Sequence, residues 1–403
     1  MTGRGPRIGL FGILCSGNLG NDGSLDAVVR HLREHHPDAG LAFFCMGPQE
    51  AIARYQAPAR HLQWYEAHAG SATGARAAAL KVLGKLLDPV RTLAWVRRQD
   101  VVIVPGMGVL EATLPLRPWA MPYSLFWLGV AARLTGAKVA LVSVGSNVIR
   151  KRLTRRLITT AARLAHYRSY RDHPSRDAMR QMGVDVRTDK VYPDLAFALP
   201  DPPAAHHDGA VGVGLMAYYG GNDDRADAER LHTAYREAIQ SFVRWLVDKG
   251  RPVRLFTGDQ ADQPMVDAIL ADLRAQRPAL EPGMVRVERP ATLNELLATM
   301  AAVDTVVATR YHNVLCALKL GKPTVSVGYA GKNDVLMASM GLAAYCQQAR
   351  SVDPERLVEQ FTDAEANRNA LTAVLAERTV VAQGRLQLQF AELSALLNGR
   401  SSR

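Results

Sequence analysis

The stretch "VVATRYHNVLCALKLGKPTVSVGYAGKND", from Val306 to Asp334, contains the pattern on which the fold prediction rests. An apolar, β-branched run is followed by a helical segment, then by Gly321 and Pro323, then by a second apolar run. Continuous apolar strands joined by a helix are typical of parallel sheets that are covered on both faces. The stretch therefore predicts a strand, a helix and a second, parallel strand.

The same alternation extends along the chain in both directions. Short apolar runs separated by helical periodicity occur at Ile8 to Leu14, Leu41 to Cys45, Val101 to Val104, Val139 to Val144, Val211 to Met216, Val253 to Phe256, Val285 to Val287, Thr305 to Ala308 and Thr324 to Val327. This pattern predicts an α/β fold with doubly wound parallel sheets.

A proline-rich polar stretch, "ALPDPPAAHHDGA" at Ala198 to Ala210, separates two such sets of runs. We expect two Rossmann-like domains facing a cleft, at residues 1–200 and 208–360, followed by a helical tail at 361–403 that could pack back on the first domain. Ligands of such sheets bind beyond the carboxyl ends of the strands, so functional residues should directly follow strands.

Composition narrows the possible classes of partner but does not identify one. The chain has 403 residues, 48% of them hydrophobic, and a formal charge of +11, which suggests an anionic partner: a phosphorylated metabolite, a nucleic acid or an anionic membrane. The four cysteines are widely spaced, so neither a zinc ribbon nor a disulfide framework is predicted, and we expect a reducing cytoplasm.

Three segments resemble membrane or targeting signals. The apolar run Ile8 to Leu14 is better explained as a first buried strand than as a signal peptide, and Trp119 to Leu134 as a buried helix. The basic segment Ala75 to Gln99 could lie on an anionic membrane. We favour an ordinary amphipathic helix pair there, because Pro89 interrupts the segment.

The loop "GNLGNDG" after the first run contains Gly17, Gly20 and Gly23 and precedes a helix. Glycines before a helix let backbone amides approach an anion. Their spacing is not the dinucleotide fingerprint, and no P-loop is present. The alternative is a tight turn capped by Asn21 or Asp22.

Two further groups follow strands. Arg171 and Asp172 end a short strand and could clamp a ligand or form a salt bridge at a helix cap. Arg310 and His312 follow one strand and Lys332 the next, so all three can face the same cleft. Arg and Lys bind carboxylate or phosphate and His transfers protons near neutral pH, although a solvated basic patch remains the alternative.

His31 and His35 have helical spacing, but their sequence is not a zinc motif. Cations near a helix C-terminus explain them better. No metal site is predicted.

Taken together, these motifs resemble the polysaccharide pyruvyl transferase family. The matches are "GNLGNDG", "SYRDHPS", "DLAF" at Asp194 to Phe197, and a final group formed by Arg310, His312, Ala317, Gly321, Pro323, Tyr329, Lys332, Gly341 and Leu342. They follow one another in the family's order from about residue 8 to 342. Tyr311 stands where the family prefers Leu, and "VPGMGVLEA" and "SVGSNVI", near Gly106 and Ser146, also depart from its pattern. These departures bear on the acceptor sugar, which we expect on the first domain, rather than on the donor, which we expect on the second domain.

The resemblance implies a two-domain GT-B-like fold and transfer of a pyruvyl group from phosphoenolpyruvate to a sugar diol. It implies His312 as general acid, with Arg171 as a second catalytic residue that helps Arg310 and Lys332 hold the donor's phosphate and carboxylate. The implied substrate-binding residues are Gly17, Asn18, Gly20, Asp22, Asp172, Tyr329, Arg310 and Lys332. Asp172 could orient Arg171 or act as a base toward the acceptor.

The alternative is a GT-B glycosyltransferase that uses a nucleotide sugar. Many such enzymes carry an E-x7-E pair, but the corresponding positions here hold Ala308 and Cys316. We therefore expect phosphoenolpyruvate as donor, a sugar or glycan acceptor that could be lipid-linked, no cofactor and no nucleic acid. We expect the protein to act in the cytoplasm, in the synthesis of the cell envelope. It could also associate peripherally with the inner face of the membrane.

Overall fold

The computed structural model describes residues 5–68, 70, 73–111, 118–204, 209–221 and 224–399. The chain divides into two compact units. The first unit contains the described residues of 5–16, 24–195 and 385–399, and the second contains those of 17–23 and 196–384.

The described part of the first unit contains a seven-stranded sheet in which all paired strands are parallel. Its strands are β1 (Arg7–Gly12), β2 (Gly40–Cys45), β3 (Ala59–His61), β4 (Val101–Pro105), β5 (Lys138–Val144), β6 (Tyr167–Tyr170) and β7 (Lys190–Val191). They lie in the order β3-β2-β1-β4-β5-β6-β7. The central strands are almost wholly buried, as their continuous apolar sequences predict.

Helices connect these strands and cover the sheet. They are α1 (Leu19–His35), α2 (Pro48–Tyr55), α3 (Trp64–His68), α4 (Gly74–Val96), α5 (Met121–Thr135), α6 (Arg152–Leu164) and α7 (His173–Gln181). The predicted buried helix near Trp119 is confirmed as α5, whose Leu125 and Leu128 are buried. In the part of the chain that is described, no helix combines the length and the apolar character needed to cross a membrane.

The second unit repeats the arrangement with six parallel strands among its described residues. They are β8 (Val211–Leu215), β9 (Val253–Thr257), β10 (Val285–Val287), β11 (Thr305–Ala308), β12 (Thr324–Gly328) and β13 (Cys346–Gln348). The order is β10-β9-β8-β11-β12-β13. The helices are α8 (Ala228–Asp248), α9 (Gln263–Gln276), α10 (Leu293–Ala301), α11 (Tyr311–Lys319), α12 (Gly331–Ser339), α13 (Pro354–Ala366) and α14 (Arg368–Leu397).

Both sheets reverse their strand order at one point, between β1 and β4 in the first unit and between β8 and β11 in the second. At such a point the connections leave in opposite directions and open a crevice beyond the strand ends. The prediction of two doubly wound parallel-sheet domains is confirmed. The nine predicted strands are all present, and the short strand predicted before Arg171 and Asp172 is β6. Strands β3, β7 and β13, of two or three residues each, were not predicted.

The basic segment near residue 89 differs from its prediction, because α4 is one helix with Pro89 inside it rather than a pair. Proline lacks the N–H that would bond to the carbonyl four residues earlier. That carbonyl belongs to Lys85, and the Tyr123 hydroxyl donates to it at 2.7 Å. A neighbouring helix thus supplies the missing donor, and α4 continues through the proline.

The chain ends in two helices, where a helical tail was predicted. From Arg385 onward α14 belongs to the first unit, where Gln389 donates to the Ser169 hydroxyl at 2.7 Å and accepts from Ser143 at 3.0 Å. The second unit begins at Ala196, close to the predicted linker, of which residues 205–208 lie outside the described part of the chain.

Candidate active site

The "GNLGNDG" loop is fixed to the segment that follows β9. Asn18 caps α1, because its side-chain oxygen accepts from the Asn21 amide at 3.2 Å. The Asn18 amide group also donates to Asp259 at 3.2 Å, and the Leu19 amide donates to the Gly258 carbonyl at 3.4 Å. The alternative prediction of a cap by Asn21 or Asp22 is wrong, since Asn18 is the capping residue.

The first turn of α1 packs directly on His312. A Cβ atom added to Gly20 would lie 1.9 Å from His312 Nδ1, so only glycine allows this approach. Gly17, one turn earlier, has a φ of +84°, a conformation that favours glycine. The glycine spacing is therefore explained by contact with the imidazole and by the turn that leads to it. Asp22, in the same turn, is buried.

Arg310 precedes α11 and forms a two-pronged ion pair with Asp262. Its Nε and Nη2 donate to the two carboxylate oxygens, each at 2.7 Å, and Asp262 is completely buried. Burial disfavours the charged guanidinium, but the hydrogen bonds and charge of Asp262 outweigh it and raise the pKa of Arg310. Sequence reasoning missed Asp262, which lies after β9 and far from Arg310 in the chain.

Lys332 lies beside two tyrosine rings at the start of α12. Its ammonium is 5.0 Å from the ring centre of Tyr329 and 5.8 Å from that of Tyr311, and the Tyr311 ring is 5.1 Å from the His312 ring. Such cation–π contacts hold an ammonium without neutralising its charge.

The second unit contains eight of the ten predicted site residues. They are Gly17, Asn18, Gly20, Asp22, Arg310, His312, Tyr329 and Lys332.

Asp262 changes the charge expected of the three predicted cations. It balances the charge of Arg310, so Arg310, His312 and Lys332 with Asp262 carry less net positive charge than the sequence suggests. Asp262 also accepts from the Ala217 amide at 2.9 Å, which fixes its orientation. That the three cations face one ligand stays a prediction.

Arg171 and Asp172, the other two predicted residues, belong to the first unit. The Arg171 side chain is only 3% exposed and forms ion pairs with Glu111, with Asp172 at 3.6 Å and with Asp194 at 3.9 Å. Asp172 caps α7 by accepting from the Ser175 amide at 2.7 Å. The predicted salt bridge at a helix cap is therefore present, whereas the clamping of a ligand by this pair stays a prediction. Arg171 lies among carboxylates, which the sequence did not predict.

A cavity of about 440 Å³ opens in the second unit beside the residues that follow β9. Asp259, which bonds to Asn18, lines this cavity. Its negative charge also helps to raise the pKa of Arg310. The lining residues are Gly17, Leu19, Thr257, Asp259, Gln260, Gln263, Arg289, Pro290 and Ala291. The wall thus combines amides, a hydroxyl, a carboxylate and a guanidinium with a larger apolar area. Within the described residues, no group of three His, Cys, Asp or Glu side chains could hold a metal ion.

Comparison with known proteins agrees with this arrangement. The family model described as polysaccharide pyruvyl transferase matches residues 18–331, from the capping asparagine of α1 to the residue before Lys332. No match was found among curated proteins.

Several solved structures share the fold at low sequence identity. UDP-GlcNAc 2-epimerase from Neisseria meningitidis has a TM-score of 0.62 and 10% identity, covering 97% of this chain and 99% of that one. The epimerase from Methanocaldococcus jannaschii has a TM-score of 0.57 and 11% identity, with coverage of 88% and 91%. MurG from Acinetobacter baumannii has a TM-score of 0.53 and 15% identity, and the match covers 96% of this chain and 98% of that one. These likenesses show the two-domain GT-B fold.

Proposed function

The chain belongs to the polysaccharide pyruvyl transferase family, and from that membership we propose that it transfers a pyruvyl group from phosphoenolpyruvate to two hydroxyls of a sugar. The products are a ketal of pyruvate on the sugar and inorganic phosphate. The observation that carries the proposal is the contact of His312 with Gly20, beside the oriented guanidinium of Arg310.

The reaction needs one proton donor and groups that bind an anion. C3 of the enol takes a proton while positive charge develops at C2, and the first sugar hydroxyl adds there. The C2–O bond to phosphate then breaks and the second hydroxyl closes the ketal. The sugar loses two hydroxyl protons. In the overall balance one becomes part of the new methyl group at C3, and the other leaves on the released phosphate. No oxidant, reductant or cofactor is needed.

We assign the proton transfer to His312 and the anion binding to Arg310 and Lys332. In this assignment Asp262 holds Nε and Nη2 of Arg310, and Nη1 donates to the phosphate or carboxylate of the donor. Lys332 contributes a positive charge that Tyr329 and Tyr311 hold in place. Arg171 and Asp172 belong to the first unit, and their predicted roles toward the donor stay predictions.

For the sugar, we propose the cavity lined by Thr257, Gln260 and Gln263. Amide, hydroxyl and carboxylate groups pair well with sugar hydroxyls, which both donate and accept hydrogen bonds. The sequence placed the acceptor with the first domain instead, so the two assignments compete. Changing Gln260 and Gln263 to Ala should raise the KM for the acceptor about tenfold and leave that for phosphoenolpyruvate unchanged.

The matched control for that experiment is Gln276→Ala, an exposed glutamine at the end of the same helix α9. An acceptor KM that stays at the wild-type value in the double variant would assign the acceptor to another part of the molecule. The pyruvyl transfer itself would stand, because donor binding and phosphate release are measured separately.

The function is tested by donor binding and by product. Phosphoenolpyruvate should raise the melting temperature, because a ligand that binds only the native state stabilises it, whereas UDP- and GDP-sugars should not. With glycan extracts as acceptors, phosphate release should accompany a pyruvate ketal detected by mass spectrometry. Stabilisation by a nucleotide sugar but not by phosphoenolpyruvate would favour the glycosyltransferase alternative and reject this proposal.

We also propose that the enzyme works in the cytoplasm on a cell-envelope glycan or its lipid-linked precursor. Phosphoenolpyruvate is a metabolite of the cell interior, and the four cysteines form no disulfide in the described structure. Comparison of glycans from cells with and without the gene should show loss of a pyruvate ketal. An unchanged glycan profile would contradict this assignment of the acceptor.

A further inference from the structure

Helix α4 presents an apolar face to solvent on the first unit. Its five large exposed side chains are Val82, Leu83, Leu86, Val90 and Leu93, with exposed fractions of 63, 43, 70, 65 and 36%. Spacings of three and four residues place them on one side of a helix. We call this surface the α4 face.

The opposite side of α4 packs inward. Ala77, Gly84, Trp95 and Val96 are buried there together with the polar Asp88 and Thr92. Asp88 accepts from the Trp64 amide at 2.8 Å and from Arg91 at 2.9 Å, so the carboxylate fixes the start of α3 against α4. The helix therefore has a buried side that is complete without the five apolar side chains of the α4 face.

Positive charge surrounds the α4 face. The basic residues of this helix and its C-terminal end are Arg76, Lys81, Lys85, Arg91, Arg97 and Arg98. The one acidic residue of α4 is Asp88, which is buried and paired with Lys85 and Arg91. The exposed surface of α4 thus combines apolar side chains with cations and shows no carboxylate of its own.

A tryptophan lies next to this surface. Trp119 is 54% exposed, and its ring centre is 5.8 Å from that of Tyr123, whose hydroxyl bonds to the Lys85 carbonyl. Tryptophan is enriched where proteins meet the boundary between lipid headgroups and acyl chains. Its position extends the α4 face toward the start of α5.

We propose that the α4 face binds the surface of an anionic lipid bilayer, with the five apolar side chains among the headgroups and the cations against lipid phosphates. Apolar residues and lysines or arginines in one helix are the two features that interfacial helices combine. Pairing with a second copy is disfavoured, since a two-fold contact would bring these cations together. This proposal deepens the location given above but is independent of the donor chemistry.

The test is co-sedimentation of the full-length protein with vesicles of phosphatidylcholine, with or without phosphatidylglycerol. Wild-type protein should bind the anionic vesicles at low salt and lose much of this binding near 1 M salt, where the Debye length falls to about 3 Å. Leu86→Ser with Val90→Ser should lower the partition coefficient roughly tenfold or more, because two large apolar side chains no longer enter the interface.

Charge is tested separately. Arg97→Gln with Arg98→Gln should also lower partitioning about 25-fold, since each basic residue near an anionic surface contributes roughly a fivefold change. The matched charge control is Arg274→Gln with Arg378→Gln, two exposed arginines of α9 and α14. The matched apolar control is Val380→Ser with Val381→Ser on α14, which are 68 and 53% exposed. Both controls should bind vesicles like the wild type.

Three results would overturn the proposal. They are equal binding by the α4 variants and their controls, no binding by wild type at low salt, and a dimer in solution that the Leu86 and Val90 changes convert to a monomer. Phosphate release from phosphoenolpyruvate with a water-soluble acceptor should remain unchanged in the α4 variants. This second readout distinguishes a failed docking surface from a failed assignment of function.

Discussion

At the scale of single residues, the candidate site depends on partners that come from distant parts of the chain. Arg310 is oriented by Asp262, His312 packs on Gly20, and Lys332 lies against tyrosine rings. A guanidinium held by a buried carboxylate is preorganised, so little conformational entropy is lost when it binds an anion. Two predictions at this scale concern His312 and the glycine on which it rests.

Replacing His312 should separate proton transfer from charge. His312→Gln cannot deliver a proton at neutral pH, and His312→Lys keeps a positive charge. If His312 is the general acid, both variants should bind phosphoenolpyruvate while kcat falls by at least about a hundredfold. Binding is measured by calorimetry and turnover by phosphate release. A Lys variant with near wild-type turnover would show that His312 acts only as a charge.

Gly20→Ala should displace the imidazole without touching a ligand group. The new Cβ would lie 1.9 Å from Nδ1 of His312, so the ring or the helix turn must move. We expect kcat to fall at least tenfold, since misplacing a reacting group by about 1 Å costs up to a hundredfold. Gly384→Ala is the control, because nothing lies within 4 Å of its added methyl group. Equal kcat in both variants would separate Gly20 from catalysis.

At the scale of elements, two helices depend on contacts outside their own hydrogen-bond ladders. Helix α4 contains Pro89, and the donor that the proline lacks comes from Tyr123 on α5. His31 on helix α1 and His36, which directly follows this helix, contact Ser394 in the last turns of α14 at 3.0 and 2.8 Å. His31 also stacks on Phe390, with ring centres 4.5 Å apart.

A double-mutant cycle should measure the compensation at Pro89. Tyr123→Phe removes the hydroxyl that donates to the Lys85 carbonyl and should cost about 0.5–1.5 kcal/mol of unfolding free energy. In a Pro89→Ala background the new backbone N–H can bond to that carbonyl, so the same change should cost less. The coupling is obtained from urea unfolding of the four proteins. Equal costs in both backgrounds would mean that the hydroxyl does not replace the missing donor.

Acid should weaken the junction of α1 and α14. Burial, followed by the charges of His35 and His36, lowers the pKa of His31 to about 4, with Glu34 opposing. The unfolded imidazole titrates near 6.5, so between these pH values the unfolded state binds more protons and stability falls as pH falls. Solvent screening reduces the His31 share to on the order of 1 kcal/mol.

The measurement for this junction is urea unfolding at pH 7, 6 and 5. His31→Gln has a side-chain amide that reaches about as far as Nε2, so it can still bond to Ser394, but it does not titrate. Its stability should therefore fall less between pH 7 and 5 than that of the wild type. His36, whose pKa burial also lowers, leaves a residual pH dependence in the variant. Parallel curves for the two proteins would exclude His31 as a source of acid sensitivity.

At the scale of the whole molecule, the chain crosses between its two units more often than a simple linker would require. Residues 17–23 belong to the second unit although the strand before them belongs to the first, and the last turns of α14 return to the first. Leu393, in those last turns, is completely buried, whereas Leu388 in the same helix is 63% exposed. The end of the chain is therefore part of the core of the first unit.

Leu393→Ala should destabilise the first unit specifically. A buried leucine cut to alanine typically costs about 2–5 kcal/mol, whereas an exposed one changes stability by about 0.5 kcal/mol or less. Calorimetry should show a lower melting temperature for one unfolding transition in Leu393→Ala. In Leu388→Ala no transition should change its melting temperature. The shifted transition should be the one that phosphoenolpyruvate does not raise. A shift of both transitions together would mean that the units unfold as one.

Several features of this protein were readable from its sequence. Continuous apolar runs set the parallel sheets, because a strand buried on both faces needs apolar side chains on both sides. The position of Arg310, His312 and Lys332 directly after strands set their place at one edge of the second sheet. The order of short motifs indicated the family, which the match over residues 18–331 confirms. These are local properties, because each depends on the residues of one short stretch of the chain.

Only the tertiary structure decided which groups meet. Asp262 neutralises Arg310 across 48 positions, Asn18 meets Asp259 across 241, and Gln389 reaches Ser169 across 220. It also placed Asp88 on the buried side of α4, where its carboxylate accepts from the first residue of α3, and left five large apolar side chains of α4 in solvent. Sequence spacing carries no information about such pairs, because the free energy of a contact depends on distance in space and on burial, whereas spacing reports only the periodicity of a single element.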